Sequence, residues 1–150
     1  RPAPVAARAA AGLLAAVWLL GAALDLQRAY LTPDGLAQAV AAQAAAVGQA
    51  NDASTWLFAS LVWLAHRLEG IGTPVSLALA GVQLALGLGL ATARRTEPWV
   101  WASIALAALF WWGGQALAML PTGMATDPNT SPLIALVALA ARSGDADPRP

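Results

Sequence analysis

Five consecutive residues carry the densest group of chemically distinctive side chains in the chain, Trp111-Trp112-Gly113-Gly114-Gln115. The indoles offer flat apolar surfaces and N–H donors, and adjacent glycines loosen a helix and expose its backbone. That combination suits a quinone, a pigment such as a carotenoid or chlorin, or a lipid headgroup. Trp111, Trp112 and Gln115 are therefore the candidate residues for binding a hydrophobic ligand or partner. The alternative interpretation is an interfacial aromatic belt with close helix packing.

Other chemistry is restricted by composition. The chain has no Cys and a single His, so thiolate catalysis, Cys-ligated metals and bis-His haem have no ligands here. His66 has carboxylates nearby and could ligate a metal or shuttle a proton, but beside Arg67 it is more typical of a solvated interfacial residue. The formal net charge of zero gives no reason to expect nucleic acid as a partner. We expect no catalytic residues, no metal site and no intrinsic cofactor.

Two long uncharged stretches determine the expected fold class. Residues 70–93 and 98–126 contain no Asp, Glu, Lys or Arg, and 59% of the chain is hydrophobic. A helix of about 20 apolar residues crosses a hydrocarbon core of roughly 30 Å. Because a spanning segment must bond its own backbone groups, the sequence predicts an all-α, polytopic membrane protein with lipid around it.

Turn signals divide the chain into elements. The Thr32-Pro33-Asp34-Gly35 run breaks the first helix, and Gly and Pro residues separate the later ones. We predict a single domain of four transmembrane helices in a bundle, with spans at about 5–26, 73–93, 98–120 and 129–142. Two further helices, at about 36–50 and 55–68, form an extracytoplasmic loop, and residues 143–150 form a flexible tail. The Trp-rich 55–68 helix is expected to lie in or near the membrane interface.

The positions of the arginines predict the orientation. With four spans, Arg8, Arg94, Arg95 and Arg142 fall on one side of the membrane, together with both ends of the chain. The positive-inside rule places that side in the cytoplasm. The N- and C-termini are therefore expected to be cytoplasmic, and residues 27–70 to be outside.

The second apolar span carries a packing signal. Gly81, Ala85 and Gly89 recur every four residues, a small-residue spacing that lets another helix approach closely. Either packing within the bundle or an interface between chains satisfies this pattern. Gln83 lies near the middle of the same span, where an amide needs a polar partner on another helix. We expect it to join helices, with ligand contact as the alternative.

These segments, taken in order, resemble the DoxX-like small integral membrane proteins, particularly members of actinobacterial type. The residues that carry the resemblance are Arg8, Gly12, Trp18-Leu19-Leu20-Gly21, Leu24-Asp25-Leu26-Gln27, Gln83-Leu84-Ala85-Leu86-Gly87, Trp111-Trp112-Gly113-Gly114-Gln115, Gly123 and Thr126-Asp127-Pro128-Asn129. The resemblance implies a four-helix fold in the bacterial inner (cytoplasmic) membrane and an association with redox or respiratory systems.

Three functions are compatible with the sequence. The first is a non-catalytic membrane subunit that anchors or stabilises a larger bioenergetic or redox complex, because no catalytic constellation or charged membrane relay is visible. The second is a stand-alone DoxX-like redox partner that binds quinone near Trp111, Trp112 and Gln115. The third, a small-solute transporter, is disfavoured because no inverted repeat is apparent.

Overall fold

The computed structural model describes residues 5–50, 55–93, 95–122 and 129–142. All regular structure in these ranges is helical, as predicted. The elements are α1 (Val5–Asp25), α2 (Gly35–Ala50), α3 (Thr55–Leu68), α4 (Gly72–Thr92), α5 (Glu97–Gly113), a 3₁₀ segment (Ala116–Thr122) and α6 (Thr130–Arg142). The expected tail at 143–150 lies outside the described residues.

Two helices are long and apolar enough to cross a membrane. α1 and α4 each contain 21 residues, about 32 Å at 1.5 Å per residue. A third span is obtained if α5 and the 3₁₀ segment, which meet at an angle of 58°, are counted as one broken element. α6 is apolar but has only 13 residues. Two or three candidate spans thus indicate a membrane location, and four spans are not established.

The expected continuous helix at 98–120 is wrong beyond Gly113. α5 ends at Gly113, and the chain then turns through a stretch of positive φ from Ala116 to Met119. Two adjacent glycines have little helical preference, so tertiary contacts decide the path of the chain at this point. Those contacts bury Ala116 completely, in a cluster formed by α2 and α3.

The four apolar helices, α1, α4, α5 and α6, form one bundle. α1 and α4 pack antiparallel, with Asp25 meeting Gln83 and Leu19 lying beside Gly87. α6 runs antiparallel to α5 and also packs on α1. The core contains Leu14, Trp18, Leu86, Leu90, Val100, Ala107 and Ala138. Trp18 lies at its centre, with only 2% of its surface exposed.

α2 and α3 form a separate helical hairpin at the end of the bundle where α1 ends. Their shared core contains Val40, Val47, Leu57 and Leu61. The connecting turns bond to each other, since the backbone N–H of Gly72 donates to the carbonyl of Pro33 at 2.7 Å. The hydroxyl of Ser76 on α4 likewise donates to the carbonyl of Tyr30 at 2.9 Å. These bonds fix the hairpin to the bundle.

Candidate functional site

The Trp111–Gln115 motif lies where α5 meets the hairpin. Trp111 and Trp112 occupy the last turn of α5, Gly113 is its final residue, and Gln115 precedes the 3₁₀ segment. A Cβ added to Gly113 would lie 3.0 Å from a terminal carbon of Leu64 on α3. The glycine thus lets α3 cross close to the end of α5.

The two adjacent indoles have different roles. Trp112 packs against the hairpin core, and its Nε1–H donates to the hydroxyl of Ser60 on α3 at 3.1 Å. The Nε1–H of Trp111 is buried and has no hydrogen-bond partner within the described residues. A buried donor without an acceptor costs about 1–3 kcal/mol. Trp112 therefore joins elements of this chain, whereas Trp111 retains an uncommitted donor.

Gln115 connects the end of α5 to the start of α6. Its side-chain Oε1 accepts a hydrogen bond from the backbone N–H of Ser131 at 3.4 Å. The hydroxyl of Ser131, a residue only 2% exposed, has no partner in the part of the chain that the structure describes. Ser131, which bonds the amide of Gln115 through its backbone, therefore carries a second buried polar group without a partner in the described residues.

Backbone strain lies immediately after Gln115 in the chain. Ala116, Leu117, Ala118 and Met119 have φ between 47° and 60°, which is the left-handed region. Left-handed backbone costs a non-glycine residue roughly 1–2 kcal/mol. The amide of Ala118 returns to the carbonyl of Gln115 at 2.7 Å and closes the turn. Strain of this kind persists where surrounding contacts enforce it, and such positions cluster at functional sites.

The packing residues predicted on α4 divide between two faces. Gln83 and Gly89 are buried, whereas Gly81 and Ala85 are exposed, and a Cβ at Gly81 would meet nothing within 4 Å. Gly81, Ala85 and Gly89 therefore do not form one contact ridge inside the described chain. Residues four apart drift around a helix of 3.6 residues per turn, so Gly89 reaches the bundle side.

Two glycines make the close contacts of α4 with neighbouring helices. A Cβ at Gly89 would lie 2.5 Å from Cε3 of Trp99 and closer still to two other ring atoms. A Cβ at Gly87, which the spacing pattern did not include, would lie 2.7 Å from Cγ of Leu19 and 3.1 Å from the carbonyl oxygen of Ala15. The signal for Gly87 was available in its position one turn after the buried Gln83.

Gln83 connects α4 to α1. Its amide nitrogen donates to a carboxylate oxygen of Asp25, at the end of α1. The amide lies directly over Gly21, where any Cβ would collide with Oε1 of Gln83. Gly21 and Asp25 are one helical turn apart, so the glycine makes the space and the carboxylate supplies the acceptor.

Some polar residues of the hairpin and its adjoining turns bond to one another. His66 Nδ1 lies 2.8 Å from a carboxylate oxygen of Glu69, and both side chains are exposed. A shallow groove of about 350 Å³ is lined by Asp34, Ala37, Gln38, Ala41, Ala65 and Glu69. One carboxylate oxygen of Asp34 already accepts from the backbone N–H of Gly70 at 2.8 Å. Within the described residues no group of three His, Asp or Glu side chains is placed to hold a metal ion.

Several contact residues were missed at the sequence level. Ser103 accepts a hydrogen bond from the Trp18 indole at 2.9 Å in the bundle core, and Ser60 does the same for Trp112. A polar residue among apolar ones in a predicted helix is a signal of such a partner, because a buried hydroxyl needs a bond. Which indole it meets depends on helix pairing and is not visible locally.

The chain matches no protein-family model, no curated protein and no solved structure. The class of protein is therefore defined by the fold and the contacts described above. The chain is an all-α protein with two or three candidate membrane spans, in which the polar side chains of Trp18, Gln83 and Trp112 each connect one helix to another.

Proposed function

We propose that this chain is a non-catalytic membrane subunit that anchors or stabilises a larger membrane complex. The observation that carries the proposal is the exposed face of α4. Gly81 and Ala85 lie one turn apart on that face, and the space beside Gly81 is open. The large apolar side chains around them are also exposed, namely Leu77, Val82, Leu84 and Leu88.

A glycine in this position is costly unless something packs against it. Gly destabilises a helix interior by about 1 kcal/mol relative to Ala, and Gly81 gains no contact within the described chain in return. In a membrane, small residues one turn apart let a second helix approach closely and gain van der Waals contact. A helix of a partner protein is the occupant that this face fits.

The polar interior supports the same function. Trp18 bonds Ser103, Trp112 bonds Ser60 and Gln83 bonds Asp25, so these side chains serve to join helices. A scaffold of this kind offers a shaped surface to a partner. The redox or bioenergetic character of the complex is proposed from the residue resemblance to DoxX-like proteins alone.

The test replaces small residues on the exposed face with a large one. Ala85→Leu, and Gly81→Leu separately, should release the chain from its complex, because leucine fills the groove that a partner helix enters. Ala105→Leu is the matched control, since Ala105 is an exposed alanine on α5. Native mass spectrometry after mild solubilisation measures the assembly directly.

Three results are distinguishable in that spectrum. The proposal is supported if wild type and Ala105→Leu are found in an assembly with other membrane subunits, whereas Ala85→Leu is found as a single chain of 15.3 kDa. Wild type that runs as a single chain overturns it. Assemblies whose masses are integer multiples of one chain also overturn it, because α4 would then pack against a second copy.

The proposed topology has four spans, formed by α1, α4, α5 with its bent extension, and α6, in a bacterial inner membrane. Two contacts support it. Arg142 at the end of α6 lies 3.3 Å from Glu97 at the start of α5, and Ser131 at the start of α6 bonds Gln115 at the other end. α6 thus runs alongside α5 between the two ends of that helix. The end of the bundle at which Arg8, Arg95 and Arg142 lie is called the arginine-rich end, and we assign it to the cytoplasm together with both termini.

Cysteine labelling tests this orientation cleanly because the chain has no native Cys. Gln38 on α2 and Pro98 on α5 are exposed and belong to opposite ends of the bundle. In intact cells an impermeant thiol reagent should modify Gln38→Cys, whereas Pro98→Cys should react only after the membrane is opened. The reverse pattern would show that the arginine-rich end is outside.

The uncommitted donor on Trp111 favours a second candidate function, the binding of a quinone. A quinone carbonyl would accept the Nε1–H of Trp111, with the indole as an apolar surface. Solvent extraction of the purified protein should then yield quinone from wild type and from Trp101→Phe, an exposed indole of the same helix. Trp111→Phe should lose it. Quinone-free wild type, or equal content in both variants, rules this function out.

A further inference from the structure

One face of α3 is exposed and carries large aromatic side chains and a cation. Trp56, Ser60, Trp63 and Arg67 follow one another at spacings of four, three and four residues, so they lie in one line along the helix. About half of the surface of Trp56 and of Trp63 is exposed. We call this line the α3 aromatic face.

The contacts of Ser60 show which way this face is turned. Ser60 accepts a hydrogen bond from Trp112 at the end of α5, and the neighbouring Leu64 lies against Gly113. α3 therefore crosses the end of α5 with its aromatic face on the side of the bundle. Trp56 and Trp63 lie about one turn to either side of Ser60 on the same face, and both are about half exposed.

The charge on the face identifies the chemistry of the occupant. The guanidinium of Arg67 lies 5.6 Å from the centroid of the Trp63 ring. Arg67 forms no ion pair within the described residues, and the nearby carboxylate of Glu69 is engaged with His66. An indole and a cation side by side at the end of an apolar bundle fit the headgroup layer, where Trp is enriched and phosphate oxygens accept from Arg.

We propose that the α3 aromatic face lies in the headgroup layer of the membrane, where Arg67 binds the phosphate of an anionic phospholipid. Trp56 and Trp63 insert their apolar rings beside α5 and hold the hairpin against the bilayer. The inference requires membrane insertion of α1 and α4 but is independent of the proposed complex. It can therefore be tested on the isolated chain.

Side-chain direction is tested with a matched pair of probes. Trp56→Cys and Thr55→Cys place an environment-sensitive fluorophore at the same level of α3 but about 100° apart around the helix. In vesicles of phosphatidylcholine with brominated acyl chains, the probe at 56 should be quenched by lipid and protected from aqueous iodide. The probe at 55 should respond to iodide. Equal iodide quenching at both positions, or protection of position 56 from both quenchers, overturns the proposal.

The role of Arg67 is tested by lipid selectivity. Nanodiscs with equal phosphatidylglycerol and phosphatidylcholine are analysed by native mass spectrometry for the lipids retained on the protein. Arg67→Gln should lower the ratio of retained phosphatidylglycerol to phosphatidylcholine about fivefold, the factor that corresponds to about 1 kcal/mol for one cation at an anionic surface. Arg28→Gln changes another exposed arginine at the same end of the bundle and is the control, and it should lower the ratio less than Arg67→Gln does. An unchanged ratio in Arg67→Gln overturns the headgroup assignment.

Discussion

Two glycines on α4 allow the cost of close helix packing to be isolated from every other effect of a substitution. Gly81 is exposed, with no atom within 4 Å of an added Cβ. Gly89 is buried, and its Cβ would lie within contact of three ring atoms of Trp99. Because both residues are interior to the same helix, Gly→Ala changes helix propensity by a similar amount at each.

The expected magnitudes follow from these surroundings. Gly81→Ala should stabilise the fold by up to about 1 kcal/mol, the propensity difference between the two residues. Gly89→Ala receives the same gain but forces the Trp99 ring to move, and overpacking of this kind costs typically about 1–3 kcal/mol. The difference between the two variants removes the propensity contribution. It should therefore be about 1–3 kcal/mol in favour of Gly81→Ala.

A Trp99→Leu chain identifies the cause of this difference in stability. In a chain that already carries Trp99→Leu, the ring is gone, and Gly89→Ala should become as favourable as Gly81→Ala. The free energy of unfolding is measured by reversible denaturant titration in mixed micelles, with helical circular dichroism as the signal. If Gly81→Ala and Gly89→Ala are equally stable in the chain that retains Trp99, the packing argument is refuted.

Three further predictions concern the polar contacts. Trp112→Phe should lower the free energy of unfolding by about 1 kcal/mol because its hydrogen bond is lost, whereas Trp111→Phe should be neutral or stabilising because it removes an unpaired donor; denaturant titration of the two variants compares them. A double-mutant cycle of Trp18→Phe and Ser103→Ala should give a coupling energy of about 1 kcal/mol, and a value of zero would contradict the bond. Gly21→Ala should destabilise by displacing the Gln83 amide, and its loss of stability should largely vanish in a Gln83→Ala chain.

Most of the element boundaries could be read from the sequence. Apolar runs together with turn and capping signals predicted helices whose ends lie within one or two residues of those of α1, α2, α3, α4 and α6. The break in α5 was not predicted, because its cause is not local. Trp112 is 52 positions away from the Ser60 hydroxyl that it contacts, and only the pairing of α5 with the hairpin brings them together.

For the candidate residues, the sequence predicted which side chains need a partner but not which residues supply it. An amide at Gln83 needs a polar partner on another helix, and the structure provides Asp25. The sequence could not identify that residue, since the choice depends on which helices are neighbours. Spacing alone likewise could not decide which side of α4 the small residues face. Gly81 and Gly89 belong to the same four-residue repeat in the sequence, but Gly81 is exposed and Gly89 is buried.

The hydrogen bond between Trp18 and Ser103 joins residues 85 positions apart, and this separation sets an order of assembly. When α1 emerges from the ribosome, none of the helices that will cover Trp18 has been synthesised. The indole N–H is left without its acceptor until α5 follows. The α2–α3 hairpin, whose helices are neighbours in the chain, can form its mutual contacts much earlier. A nascent chain arrested before α5 would thus present a formed hairpin and a paired α1 and α4, with the indole of Trp18 still lacking its acceptor.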